Sequence, residues 1–126
     1  MEKAHATVLV VDDDPQILEI AVDTVSALGY AAIPAHSGQE ALSILQREPA
    51  VDLLFTDITM PAGMNGWELA RQSRRLRPSL RVIYTTGYTR TVPEVDGPGY
   101  GPLLPKPWRP SQLATLLRAM LGSGRP

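Results

Sequence analysis

Three acidic residues in succession, Asp12, Asp13 and Asp14, follow the apolar run Val8-Leu9-Val10-Val11, and a fourth, Asp57, closes a second run that starts Leu53-Leu54-Phe55. Thr85 and Thr86 follow Val82-Ile83-Tyr84, and Lys106, one of two lysines, stands between Pro105 and Pro107 just after Leu103-Leu104. Carboxylates brought together repel: two unit charges about 4 Å apart cost roughly 4 kcal/mol at an effective dielectric of about 20. Such a group calls for a cation. All the donors are oxygens, which suits Mg²⁺ or Mn²⁺ rather than zinc. Mg²⁺ keeps several waters and is normally completed by a phosphate. A carboxylate, a dication, the Lys106 ammonium and the Thr86 hydroxyl together would make a phosphoryl-transfer site, where positioning and charge neutralisation supply most of the catalysis. A carboxylate nucleophile would then carry the group as an aspartyl phosphate.

These residues share a pocket only if the chain brings the strand ends together. The three near-continuous apolar runs suit strands buried on both faces of a parallel sheet; Ala31-Ala32-Ile33 and Leu103-Leu104 are weaker candidates. Between them lie helical patterns. Ile17, Ala21, Val25 and Leu28 share one face, with Asp14 as N-cap, Pro15 in the first turn and Gly29 as the terminating glycine. Ala41, Leu42, Ile44 and Leu45 follow Ser37-Gly38-Gln39-Glu40, which reads as a capping box. Trp67 to Leu76 forms a less regular helix, and Leu113, Leu116, Leu117, Met120 and Leu121 a last one, with Pro110 in its first turn. From Thr89 to Gly101 the density of proline and glycine opposes a regular helix. The alternation predicts an α/β fold: a flavodoxin-like, doubly wound, five-stranded parallel sheet of order 2-1-3-4-5, with an irregular or shortened fourth helix. Strands one and three then adjoin at the switch point of that order, where open sheets bind ligands, and Asp12, Asp13 and Asp57 meet there.

Composition narrows the function. A chain of 126 residues holds about one domain, taken as 1–126 with a core of 7–121. Twelve basic against 13 acidic residues, a net charge of −1, disfavour nucleic-acid binding. Apolar runs of four or five residues cannot span a membrane, and Asp12 to Asp14 stand where a secretory signal would be apolar. Cysteine is absent, which rules out disulfides and thiolate metal sites and fits a cytoplasmic protein. His5 and His36 lack metal-ligand spacing, Trp67 and Trp108 read as packing residues, and the run Arg71, Arg74, Arg75, Arg77 and Arg81 reads as a solvated helix face, with a docking patch for an acidic partner as the alternative.

From Val8 to Leu121 the chain resembles a response-regulator receiver domain of bacterial two-component signalling, of the stand-alone or hybrid-kinase type. The motifs are Val10-Val11-Asp12-Asp13-Asp14-Pro15, Asp57-Ile58-Thr59-Met60-Pro61, Thr86-Gly87 and Lys106-Pro107. The resemblance implies that Asp57 is the phosphorylated aspartate, that Asp13 binds Mg²⁺ directly with Asp12 as its partner, and that the Thr59 carbonyl is a further metal ligand. It assigns Thr86 and Lys106 to the phosphoryl group and a cis peptide to Pro107. It implies a phosphoacceptor that takes its group from a histidine kinase or phosphotransfer protein, catalyses only its own phosphotransfer and slow dephosphorylation, and switches a protein–protein interaction. The chain departs from the family at Leu103, where most relatives carry Tyr or Phe, and in an acceptor loop, Met60 to Gly66, one residue longer than the common form. The alternative is a small haloacid-dehalogenase-like phosphatase, which also uses an aspartyl nucleophile, Mg²⁺, Thr and Lys. That family places a second aspartate two residues after the nucleophile, where this chain has Thr59.

Overall fold

The near-continuous apolar runs become strands that are buried along their length. In the computed structural model, which describes residues 6–60, 63–87 and 100–122, every residue of β1 (Thr7–Val11) and β3 (Leu53–Asp57) is buried, and in β4 (Arg81–Thr86) all but Arg81. β2 (Ala31–Ala35) and β5 (Leu103–Pro105) are less buried and form the two edges of one sheet, whose order is β2-β1-β3-β4-β5 with every pair parallel. Among the described residues there are four helices: α1 (Pro15–Ala27), α2 (Gly38–Arg47) and α3 (Gly66–Leu76) connect β1 to β4 in turn, and α4 (Pro110–Leu121) follows β5. None is long and apolar enough to cross a membrane.

Side chains alternate across a strand, so the sheet carries a half-core on each face. Leu9, Val11, Leu54 and Val82 pack with Ile44 and Leu45 of α2 and Leu69 of α3. Val8, Val10, Phe55 and Ile83 pack on the other face with Leu18 and Val25 of α1 and Leu113 and Leu117 of α4. Both tryptophans pack, as the sequence suggests: Trp67 lies against Tyr84 with ring centroids 4.5 Å apart, and Trp108 meets Phe55 edge-on at 5.8 Å.

The caps follow from local chemistry. Asp14 accepts from the Gln16 N–H at 2.9 Å and the Ile17 N–H at 3.4 Å. Gly29 has φ 98°, and its N–H donates to the Ser26 carbonyl at 3.0 Å, closing α1. Ser37 Oγ accepts from the Glu40 N–H at 3.1 Å, but the capping box is not reciprocal: Glu40 Oε1 accepts from the N–H of His36, one residue before the cap, at 2.7 Å. Asn65, which the sequence reading passed over, caps α3 by accepting from the Glu68 N–H at 2.9 Å.

The arginine run is only in part a solvated face. Arg77 Nη2 donates to the carbonyls of Leu45 (2.6 Å) and Glu48 (2.8 Å), the bare end of α2, and Arg74 Nη1 donates to the Leu80 carbonyl at 2.8 Å. Arg71, Arg75 and Arg81 are exposed.

The chain enters β5 by a close approach that only glycine permits: a Cβ on Gly101 would lie 1.7 Å from the Val82 carbonyl oxygen. Each edge strand carries one proline, Pro34 in β2 and Pro105 in β5. The expected irregular fourth helix falls mostly on 88–99, outside the described residues, as does His5.

Candidate functional site

Three strand registers assemble the site at the C-terminal edge of the sheet. Val11 pairs with Thr56, Asp57 with Thr85, and Thr86 with Pro105. Asp12, Asp57, Thr86 and Lys106 are thereby brought to the same edge, each within one residue of a strand end. Asp12, Asp57 and Thr86 are buried and Asp13 is exposed.

The Lys106 ammonium lies between two carboxylates, with Nζ 3.0 Å from Asp12 Oδ2 and 3.1 Å from Asp57 Oδ2. The other oxygen of each carboxylate turns to a backbone amide: Asp12 Oδ1 accepts from the Asp14 N–H at 2.9 Å, and Asp57 Oδ1 from the Thr59 N–H at 3.1 Å. Burial pushes the Asp57 carboxyl above its ordinary value, a rise that the nearby ammonium limits. Burial also works against the charge on Lys106, yet its bonds to Asp12 and Asp57 outweigh that, and its pKa is raised. The peptide bond between Lys106 and Pro107 is cis, as the resemblance implies.

Asp12, Asp13 and Asp57 each offer an oxygen within 4.8 Å of the others. An all-oxygen donor set that opens to solvent through Asp13 fits a hard dication that retains waters. With all four groups ionised, three carboxylates and one ammonium leave two negative charges, the amount that a dication balances.

Two glycines that the sequence reading did not single out fix the loop after Asp57. The Gly66 N–H donates to the Ile58 carbonyl at 2.8 Å, and a Cβ on Gly66 would lie 2.3 Å from the Asp57 carbonyl oxygen. The first residue of α3 therefore rests on the backbone of Asp57. Met64 packs across Gly38 at the start of α2, where a Cβ would lie 2.9 Å from Met64 Cγ. Neither contact has a local sequence signal, because both depend on how two helices meet one loop. Lys106 also borders a largely apolar hollow of 420 Å³, lined by Ile17, Ile20, Gly87, Lys106, Pro107 and Trp108.

Residues 8–118 match the family model described as response regulator receiver domain. The chain is 33% identical over 116 residues to the response regulator receiver protein CpdR of Brucella abortus, covering 90% of this chain and 95% of that protein. It is 35% identical over 122 residues to the sensor kinase CckA of the same organism; that match covers 92% of this chain but 12% of the kinase. Among solved structures, the response regulator TrrA of Thermotoga maritima, in complex with Mg²⁺-BeF, superposes with a TM-score of 0.83 at 28% identity, covering 92% of this chain and 99% of that one.

Proposed function

The chain belongs to the response-regulator receiver family, the signalling domains of two-component systems, and on that premise we propose that Asp57 takes a phosphoryl group from the phosphohistidine of a histidine kinase or phosphotransfer protein. Asp57 Oδ attacks phosphorus, the P–N bond to histidine breaks, and the freed imidazole takes up a proton. The observation that carries this reading is the ammonium of Lys106 held at 3.0 and 3.1 Å between Asp12 and Asp57. It is placed to follow charge from the carboxylate onto the phosphoryl oxygens as they arrive. The Thr86 hydroxyl, one residue beyond the strand partner of Asp57, donates to the same oxygens. Asp12, Asp13, Asp57 and the Thr59 carbonyl would hold Mg²⁺, which when bound supplies charge neutralisation. TrrA, a structural relative, was solved with Mg²⁺-BeF.

The chain's own chemistry is self-phosphorylation and slow autodephosphorylation, and its output is a change of protein contact, in the cytoplasm. The apolar hollow beside Lys106 gives a donor protein purchase next to the acceptor. Leu103 is 44% exposed and has neither ring nor hydroxyl, so no aromatic side chain turns inward there on phosphorylation. The change is assigned instead to the segments after β3 and β4, the second of which lies largely outside the described residues.

Acetyl phosphate with Mg²⁺ tests the reading. One equivalent of acid-stable, alkali-labile label is expected on the wild-type chain and none on Asp57→Asn. Persistent labelling of that variant would defeat the assignment, and sustained turnover of a generic phosphate ester would revive the phosphatase alternative.

A further inference from the structure

Five of the chain's 12 cationic residues, Arg71, Arg74, Arg75, Arg77 and Arg81, fall within eleven positions, and no acidic residue occurs between Glu68 and Glu94, although the whole chain is at −1. Three of the five, with Pro78 and Tyr100, line a cleft of 410 Å³. We propose that this cleft is a docking site for a glutamate- or aspartate-rich segment of a partner protein.

The guanidinium groups are partly pre-ordered. Arg74 is fixed by its bond to the Leu80 carbonyl and lies 4.9 Å from the centroid of the Tyr100 ring. Arg71 pairs with Glu68, and Arg75 makes no ion pair among the described residues. Among the described residues, one carboxylate thus stands against three guanidiniums. Arg71 and Arg75 are one turn apart on the same side of α3, about 5–6 Å between Cβ atoms, a spacing that successive acidic side chains can match. Planar guanidinium forks bind carboxylates with two bonds and lose little freedom when already braced.

Arg and Tyr are also the side-chain types that dominate interface energetics. Arg71, Arg75, Pro78 and Tyr100 are all exposed, so the cleft is shallow and suits side chains of a protein surface better than a small molecule, which would need enclosure. The overall negative charge opposes a nucleic-acid occupant.

The cleft runs along the C-terminal half of α3, with Arg71 to Arg75 about 8 to 14 Å from Gly66 along the helix axis, so an occupant leaves Asp57 uncovered. Binding there does not require the phosphoacceptor reading.

The test is an amide chemical-shift titration of the full chain, at low salt, with a glutamate peptide of about ten residues. A lysine peptide and a deoxythymidine oligonucleotide of the same length run in parallel. The glutamate peptide should shift the Arg71, Arg75 and Tyr100 amides, and added salt should weaken it. Replacing both Arg71→Gln and Arg75→Gln should weaken it about tenfold, roughly the effect of losing one charge-assisted contact. Arg118→Gln, on the other face of the sheet, should leave it within about twofold. Absence of shifts, equal binding by the double variant, or tighter binding of the oligonucleotide would overturn the proposal.

Discussion

Lys106 neutralises two buried carboxylates at once while its own side chain is only 14% exposed. Removing one partner from such a group leaves the others desolvated and unpaired, at a cost of about 3 kcal/mol. Lys106→Met should therefore lower stability by that order in urea melts without Mg²⁺, and adding Mg²⁺ should recover part of the loss. An unchanged melt would mean that the ammonium is not what balances Asp12 and Asp57. Each of these residues could be picked from the sequence, because a charged group directly after a buried apolar run has few structural reasons to be there. That one ammonium serves both carboxylates could not be read, since it follows from three strand registers that no local pattern encodes. Asp13 differs from its neighbour for a similar reason: Asp12 is drawn into the sheet edge by its bond to the Asp14 amide, while Asp13 stays exposed.

At the scale of the element, α3 is seated on the backbone of Asp57. A Cβ at Gly66 would press on the carbonyl of Asp57 and the Cα of Ile58, at 2.3 and 2.7 Å, and neither can yield like the tip of a flexible side chain. Gly66→Ala should cost about 3 kcal/mol and slow labelling of Asp57 by acetyl phosphate; both follow from displacing the same backbone, and a variant of normal stability and rate would show that the loop absorbs the methyl group. At α2, the Glu40 carboxyl is held below its ordinary value of 4.5, first by the N–H of His36 and in smaller measure by His36's ring and Arg47. With the folded pKa below the unfolded one, this contribution is present above about pH 4.5 and is lost as pH falls through the folded value. The groups are exposed and screened, so Glu40→Gln should cost at most about 0.5 kcal/mol at neutral pH, and the two melting curves should merge as pH falls below the folded value.

Helix starts at Asp14 and Ser37 were legible because a cap is a local event between residues two or three apart. The Asn65 cap on α3 is just as local, three residues from its Glu68 donor, and was open to the same reading; the acceptor of His36's N–H, displaced by one residue from the expected box, and the Arg77 clamp on α2 were not legible. The last of these spans 29 to 32 positions of sequence, and nothing near Arg77 distinguishes it from its exposed neighbours.

Across the whole molecule, the half-core on each face explains why the fold class was readable while the site's finer contacts were not: strands buried on both sides announce themselves by composition alone. The edges of that sheet carry one more consequence. The Ala31 N–H and the Ala35 carbonyl point inward to the chain leading into and out of β1, so Ala32 and Pro34 face away from the sheet. The Pro102 carbonyl and the Lys106 N–H likewise point inward towards β4, so Leu103 and Pro105 face away. On each side proline occupies one of the two outward positions, and it has no N–H to offer. Each rim is left with a single outward amide, too few to template a neighbour's strand. Replacing both, Pro34→Thr with Pro105→Thr, should raise self-association in light scattering at high protein concentration, and a monodisperse variant would argue against this. Crowded together in the cell, copies of this domain are therefore barred from zipping into one another's backbones and must meet, if they meet, through side chains alone.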